Sequence, residues 1–219
     1  MVLFLYSKKE SSLGVGWTMT LQELKKIINE KYLHRGKTIT YHDQRNPNET
    51  HTIVEEFTLS SGRKSSLYFD LKSLFGNLHD VQILCEAVWW RLREFSPPIS
   101  HFESFGGTEL GGAIFAAHLM HSHPRNFSVC YIRKQSLPRE HGLKKMIEGA
   151  PKSKILLVDD VISTGKTVID AMNECVKAGY EVSDVLCVIN RMNDYDTEQF
   201  ENVIGLTIHS LFRERDFDV

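Results

Sequence analysis

From His101 onward the chain alternates two kinds of apolar segment, and this alternation restricts the fold more than any other feature of the sequence. Five short runs, "HFESF", "FSVCYIR", "KILLV", "DVLCVINR" and "VIGLTIHSLF", have the length and the β-branched and aromatic content of buried strands. Between them lie the turn "GGTELGG", the helical stretch "AIFAAHLMHS", a polar loop, and the helical stretch "TVIDAMNECVKAG". A helix between two strands returns the chain to the same end of the sheet, so such strands pair in parallel. The expected class is α/β, with a central, mostly parallel sheet flanked by helices.

The first hundred residues read differently. Thr20-Leu21-Gln22-Glu23 has the form of a capping box, and Leu21, Leu24, Ile27 and Ile28 follow at helical spacing in "LQELKKIINEKYLH". Residues 35–51, "RGKTITYHDQRNPNETH", fit either a surface hairpin or a loop. "TIVEEFTLSSGRKSSLYFDL" suggests two short strands about a Ser-Ser-Gly turn, and "DVQILCEAVWWRLREF" an amphipathic helix. The chain has 219 residues, 42% of them hydrophobic and 25% charged, enough for one good core of a soluble protein. A net charge of -2 gives no reason to expect nucleic acid or a membrane surface as partner. No apolar run reaches membrane-spanning length, and "MVLFLY" is too short for a secretion signal. Cys85, Cys130, Cys175 and Cys187 are scattered, as buried thiols of a reducing compartment would be. The expected location is the cytoplasm, where the glycosylation patterns at Asn48 and Asn126 are coincidental.

The chemistry concentrates in "ILLVDDVISTGKT", Ile155 to Thr167. Gly165-Lys166-Thr167 ends like the phosphate loop of nucleoside triphosphatases, but that loop needs glycine where this chain has Asp160. The short strand Ile155–Val158 leads into Asp159 and Asp160, then into a small, hydroxylated segment that opens a helix. In a parallel sheet, ligands bind beyond the carboxyl ends of strands, and a helix N-terminus presents N–H groups to an anion. Two carboxylates beside such a cradle would repel a second phosphate but accept hydrogen bonds from hydroxyls. A ribose 5-phosphate meets both demands. Each aspartate taken alone also suits a helix cap or a lysine partner; Arg191 suits a surface charge, and the basic residues from Arg133 to Lys145 a solvated run.

The same stretch resembles the phosphoribosyl pyrophosphate (PRPP) motif of type I phosphoribosyltransferases. "FTLSSGRKSSLYFDLK", "YIRKQSLPREHGLKKMIEG" and "VLCVINR" are similar, in order, to three segments of the orotate phosphoribosyltransferase family, and the likeness runs from about Phe57 to Phe212. It implies a phosphoribosyltransferase domain at 57–219, with residues 1–56 forming an extension and part of an N-terminal helix/strand hood. The implied reaction joins PRPP and orotate to give orotidine 5'-monophosphate and pyrophosphate. Arg133, Lys134, Arg139, His141, Asp159, Asp160, Val161, Ile162, Ser163, Thr164, Gly165, Lys166 and Thr167 would bind PRPP. Of these, Asp159, Asp160, Lys134, Arg139 and His141 would serve catalysis. Ser163, Arg191, Tyr68 and Phe69 would face the base. Mg²⁺ is the implied cofactor, held mainly by PRPP with no direct protein ligand, near Asp159 and Asp160. A homodimer is implied, each mobile loop closing over the neighbouring site.

Some positions depart from the family pattern. Ser60 and Leu110 stand where many members have lysine, the basic loop is two residues longer between Arg133 and His141, and Arg139 replaces a lysine. Two alternatives follow: a phosphoribosyltransferase for another base, and a regulator that binds PRPP without catalysis.

Overall fold

The computed structural model describes residues 15–42, 50–59, 62–94, 96, 98–122, 127–133 and 146–217. Helix α1 (Val15–Ile27) runs into a π-helical turn, Ile28–Tyr32, and five short strands follow: β1 (Leu33–Arg35), β2 (Thr38–His42), β3 (Thr50–Val54), β4 (Phe57–Thr58) and β5 (Lys64–Ser65). Strand β6 (Leu67–Phe69) and helices α2 (Leu71–Phe75) and α3 (Leu78–Arg91) lead to the α/β region. That region comprises β7 (Ser104–Thr108), α4 (Glu109–His121), β8 (Ser128–Ile132), β9 (Ile147–Gly149), β10 (Ile155–Ile162), α5 (Lys166–Lys177), β11 (Asp184–Asn190), α6 (Asp194–Ile204) and β12 (Thr207–Arg213).

Six strands form the main sheet in the order β12-β11-β10-β7-β8-β9. The first five are parallel, and only β9 runs antiparallel, against β8. This is the expected α/β class. Ile155 to Val158 and Val185 to Ile189 are fully buried, because β10 and β11 are covered on both faces. One face packs on α3 and α4 through Val88, Leu92, Phe105 and Phe115; the other packs on α5 and α6 through Val168, Cys175 and Phe200. Among the described residues no helix is long and apolar enough to cross a membrane.

Several sequence expectations change in detail. Helix α1 begins at Val15 and passes through Thr20, so Thr20 does not cap it; no proline interrupts the preceding residues. Strand β7 lies three residues beyond "HFESF" and takes in Gly106, Gly107 and Thr108, which the sequence reading gave to the turn. Strand β10 continues to Ile162 on its β11 side, pairing Ile162 with Asn190, whereas its pairing with β7 ends at Val158. Strand β9 lies in what the sequence suggests is a polar loop, and helix α6 spans residues to which the sequence reading assigns no element, apart from Val203 and Ile204, given there to the final strand. Residues 38–54 do form a hairpin, β2 against β3, with residues 43–49 outside the described set.

The N-terminal elements are fastened to helix α3 by a buried charge. Asp80, fully buried in the first turn of α3, accepts hydrogen bonds from Tyr32 Oη at 2.7 Å and Lys31 Nζ at 3.0 Å. Its own N–H donates to Asn77 Oδ1. Burial alone would raise this carboxyl, but the bonds from Tyr32, Lys31 and His79 outweigh it and hold the group below its ordinary 3.8. The Tyr32 phenol is pushed up to about 12, first by burial and then by Asp80. A depressed carboxyl contributes stability above its unfolded value, and that stability is lost as pH falls through the folded value. Tyr32→Phe is therefore expected to destabilise the neutral protein by about 1.5–3 kcal/mol, and to weaken its dependence on acid below about pH 4. Thermal melts across that range check both effects.

Candidate active site

The site forms where the chain leaves β7, β10 and β11 at one end of the sheet. Asp159 and Asp160 lie inside β10 rather than past its end, at the two positions where the β7 neighbour has already turned away. The turn from β7 into α4 fills that gap. A Cβ on Gly111 would overlap the Asp160 carboxylate, and one on Gly112 would overlap the Val158 carbonyl. Only glycine allows the first turn of α4 to lie this close to β10. Beside them Glu109 has φ 49°, the one positive φ outside glycine among the described residues. Such conformations persist where the surroundings over-determine them.

The carboxylates have different environments. Asp159 is buried and accepts the Asp160 N–H at 3.0 Å; Asp160 is bonded at Oδ1 by the Val161 N–H at 2.9 Å. Burial raises the Asp159 carboxyl well above its ordinary value, and the charge and hydrogen bond of Asp160 raise it further against the opposing effect of Thr108. On the other side, Lys72 Nζ from α2 sits 3.2 Å from Asp160 Oδ2. Burial would lower the Lys72 ammonium, but Asp160 outweighs it, with Tyr68 and Asp159 adding, and the group is raised. The sequence reading assigned no role to Lys72, the last residue of the segment "FTLSSGRKSSLYFDLK", which is 88 residues from its partner.

The segment that the sequence suggests would hold a phosphate follows β10. Gly165 takes the left-handed N-cap position of α5 at φ 72°, where a side chain would also strike Phe200. No side chain caps this helix and its first turn carries no acidic residue, so its leading N–H groups face no competing anion. Ser163 Oγ is buried without a hydrogen-bond partner among the described residues. A buried hydroxyl in that state costs about 1–3 kcal/mol, and an anion in the cradle would relieve it. A small cleft opens alongside, lined by Thr108, Glu109, Ile132, Arg133, Thr167 and Asp170. A roomier cleft of about 360 Å³ between His101, Lys154 and Tyr180 lies at the opposite end of the strands and includes none of these groups.

Arg191 also reaches this end of the sheet, its backbone N–H bonded to the Ile162 carbonyl beside Ser163. Its guanidinium is not free, however. Nη2 donates to Ser65 Oγ at 2.6 Å and to Glu214 Oε1 at 2.5 Å, leaving Nε buried without a partner. The group also stands 5.7 Å from the Phe69 ring, so Arg191 and Phe69 are brought together, with Ser163 adjacent to Ile162, which the Arg191 backbone contacts. Tyr68, half exposed, turns towards Phe57 and His34. Arg133 stands at the end of β8 and pairs with Glu148. Lys134, Arg139 and His141, like Ser60, lie outside the described residues. No cluster of three or more His, Cys, Asp or Glu suited to a metal ion occurs among the described residues.

A mostly parallel six-stranded sheet flanked by helices, with an acidic pair in β10 before the start of α5, is the architecture of the type I phosphoribosyltransferases. No family model matches the chain. It is 33% identical over 168 residues to an orotate phosphoribosyltransferase of Rhodopseudomonas palustris, covering 74% of this chain and 87% of that one. It is 31% identical over 159 residues to the Aquifex aeolicus enzyme of the same name, covering 72% and 84%. The crystal structure of Mycobacterium tuberculosis orotate phosphoribosyltransferase with Fe(III) dicitrate superposes with a TM-score of 0.66 at 22% identity, over 91% of this chain and 99% of that one. The same protein in complex with PRPP gives 0.63 at 22% identity, over 91% and 99%. The chain belongs to the orotate phosphoribosyltransferase family.

Because the Asp159 carboxyl is raised, its contribution to stability is present at low pH and lost as pH rises through the folded value. At neutral pH the ligand-free protein carries that penalty. Asp159→Asn is therefore expected to raise Tm at pH 7 by about 2–4 °C, as ~1 kcal/mol does in a domain of this size. The gain should vanish in melts near pH 4.

Proposed function

We propose that this chain transfers the phosphoribosyl group of PRPP to orotate, releasing orotidine 5'-monophosphate and pyrophosphate, with Mg²⁺ as cofactor and as a homodimer. The observation that carries the reading is the buried, unpartnered Ser163 hydroxyl, set between a carboxylate pair and an uncapped helix N-terminus. A 5-phosphate at Ser163–Thr167 would supply the acceptor for that hydroxyl and for the first N–H groups of α5. Asp159 and Asp160 then meet the ribose hydroxyls, which donate hydrogen bonds to them. Oxocarbenium character developing at the ribose C1 is favoured by the same carboxylates, and the departing pyrophosphate by cations.

Mg²⁺, bound chiefly through pyrophosphate and ribose oxygens, would neutralise leaving-group charge. The two carboxylates fit that neighbour: a cation would offset both the burial that chiefly raises Asp159 and the repulsion from Asp160 that adds to it. Lys134, Arg139 and His141 are assigned to the pyrophosphate, and Arg191 to the carboxylate of the base. The last assignment asks more of Arg191 than its sequence position suggested, since Glu214 already holds one of its nitrogens. The base therefore shares this guanidinium.

Four measurements test the proposal. PRPP and Mg²⁺ offered with orotate, uracil, nicotinate, hypoxanthine and adenine should release pyrophosphate with orotate; release only with another base would overturn the assignment. Asp160→Asn is expected to lower kcat about 10²-fold. Arg191→Lys keeps the charge opposite Glu214 but loses the planar fork, and should raise KM for orotate about tenfold more than KM for PRPP. Mixing Arg139→Ala with Asp160→Asn protein tests a loop acting between subunits: exchange should restore about a quarter of wild-type activity at random pairing. No recovery despite proven exchange would show that each subunit uses its own loop.

A further inference from the structure

The Lys72–Asp160 pair crosses the site from the hood side, and the shape of the proposed substrate gives it a direction. In PRPP the 5-phosphate and the pyrophosphate on C1 leave opposite ends of the ribose, with the 2- and 3-hydroxyls between them. If the phosphate occupies Ser163–Thr167 and the hydroxyls meet the carboxylates, C1 points away from the cradle. What lies on that side of Asp160 is the first turn of α4, in contact through Gly111, and the ammonium of Lys72 at 3.2 Å.

The charges nearby have unequal freedom. Arg133 is paired with Glu148 and Arg191 with Glu214, carboxylates that the substrate does not claim. Lys166 opens α5 at the cradle end. Lys72 differs: its partner is the carboxylate that the ribose would engage, and its own side chain is 52% exposed on a flexible four-carbon stem. Hydroxyl donors arriving at Asp160 compete with the ammonium just as several negative charges arrive within its reach.

We propose that Lys72 is a substrate-binding residue, a cation held on Asp160 in the free protein that moves onto the pyrophosphate of PRPP when the ribose occupies that carboxylate. This rests on the PRPP reading given above. A lysine that merely steadies Asp160 would support the sugar, and so would affect every ligand carrying the ribose. A lysine that binds pyrophosphate would affect only ligands carrying pyrophosphate.

Calorimetry with two ligands separates these roles without using any base. PRPP and ribose 5-phosphate, each with Mg²⁺, are titrated into wild type, Lys72→Met and Lys72→Arg, with thermal melts confirming that each variant is folded. Lys72→Met is expected to weaken PRPP at least about tenfold, the scale of one lost charge-assisted hydrogen bond. It should leave ribose 5-phosphate within about twofold, and Lys72→Arg should recover most of the loss. Wild-type affinity for PRPP in Lys72→Met, or an equal loss for both ligands, would overturn the proposal. A wild-type protein that binds neither compound would instead overturn the PRPP reading itself.

Discussion

The contact between the first turn of α4 and strand β10 is the constraint on which the rest of the site depends. Gly112 lies against the Val158 carbonyl at a distance that admits no side chain, and a side chain at Gly111 would displace the Asp160 carboxylate. This lets α4 start directly over the sheet end, with Glu109 forced to positive φ in the process. It also ends the pairing of β7 with β10 at Val158, which releases the next two positions of β10 from a neighbouring strand. Those positions are the aspartates. A bulkier turn would push α4 outward and with it Phe115 and Ala116, which belong to the larger core cluster. Backbone packing and the placement of charge are therefore a single geometric requirement.

Several polar groups around that contact lack the partners that buried polar groups have elsewhere in the fold. Asp159 is buried beside another carboxylate, Ser163 Oγ has no partner among the described residues, and Arg191 Nε is likewise unpaired. Each lowers the stability of the free protein. Elsewhere buried polar groups are well satisfied: Asp80 has three side-chain donors around it, and Asn190 both donates to Thr197 and accepts from the Met192 N–H. The contrast separates the groups that the fold satisfies from those it leaves unsatisfied. The same sheet can carry both because the satisfied groups fix the ends of α3 and β11, leaving the strained ones a rigid frame.

Much of this was legible in the order of residues, and what was not has identifiable causes. The buried strands β10 and β11 are continuous apolar runs, so sequence located them, and Asp159–Thr167 followed from them. Strand β9 spans three residues, too few to show alternation. Helix α6 exposes Tyr195 and Val203 and buries little besides Phe200, so its apolar stripe is faint; its better signals were Asn193, which caps it, and Gly205 beyond its end. Glycines in "GGTELGG" suggested a turn, yet the first two lie in a strand because close packing, not chain reversal, requires them. Lys72 and Glu214 are partners of site residues only through tertiary structure, and no local spacing could reveal them.

The reversed strand of the main sheet has a consequence for Arg133. Strand β9 pairs with β8 through Ile132 and Ile147, and the Arg133 N–H donates to the Met146 carbonyl at 2.9 Å. Glu148, on the same strand, pairs with the Arg133 guanidinium. Both ends of Arg133, backbone and side chain, are therefore braced by an edge strand that runs against its neighbour. A parallel strand in that place would need a crossover connection back to the far end of the sheet. The antiparallel edge thus holds a cation at the rim of the cleft that Thr108 and Thr167 also line.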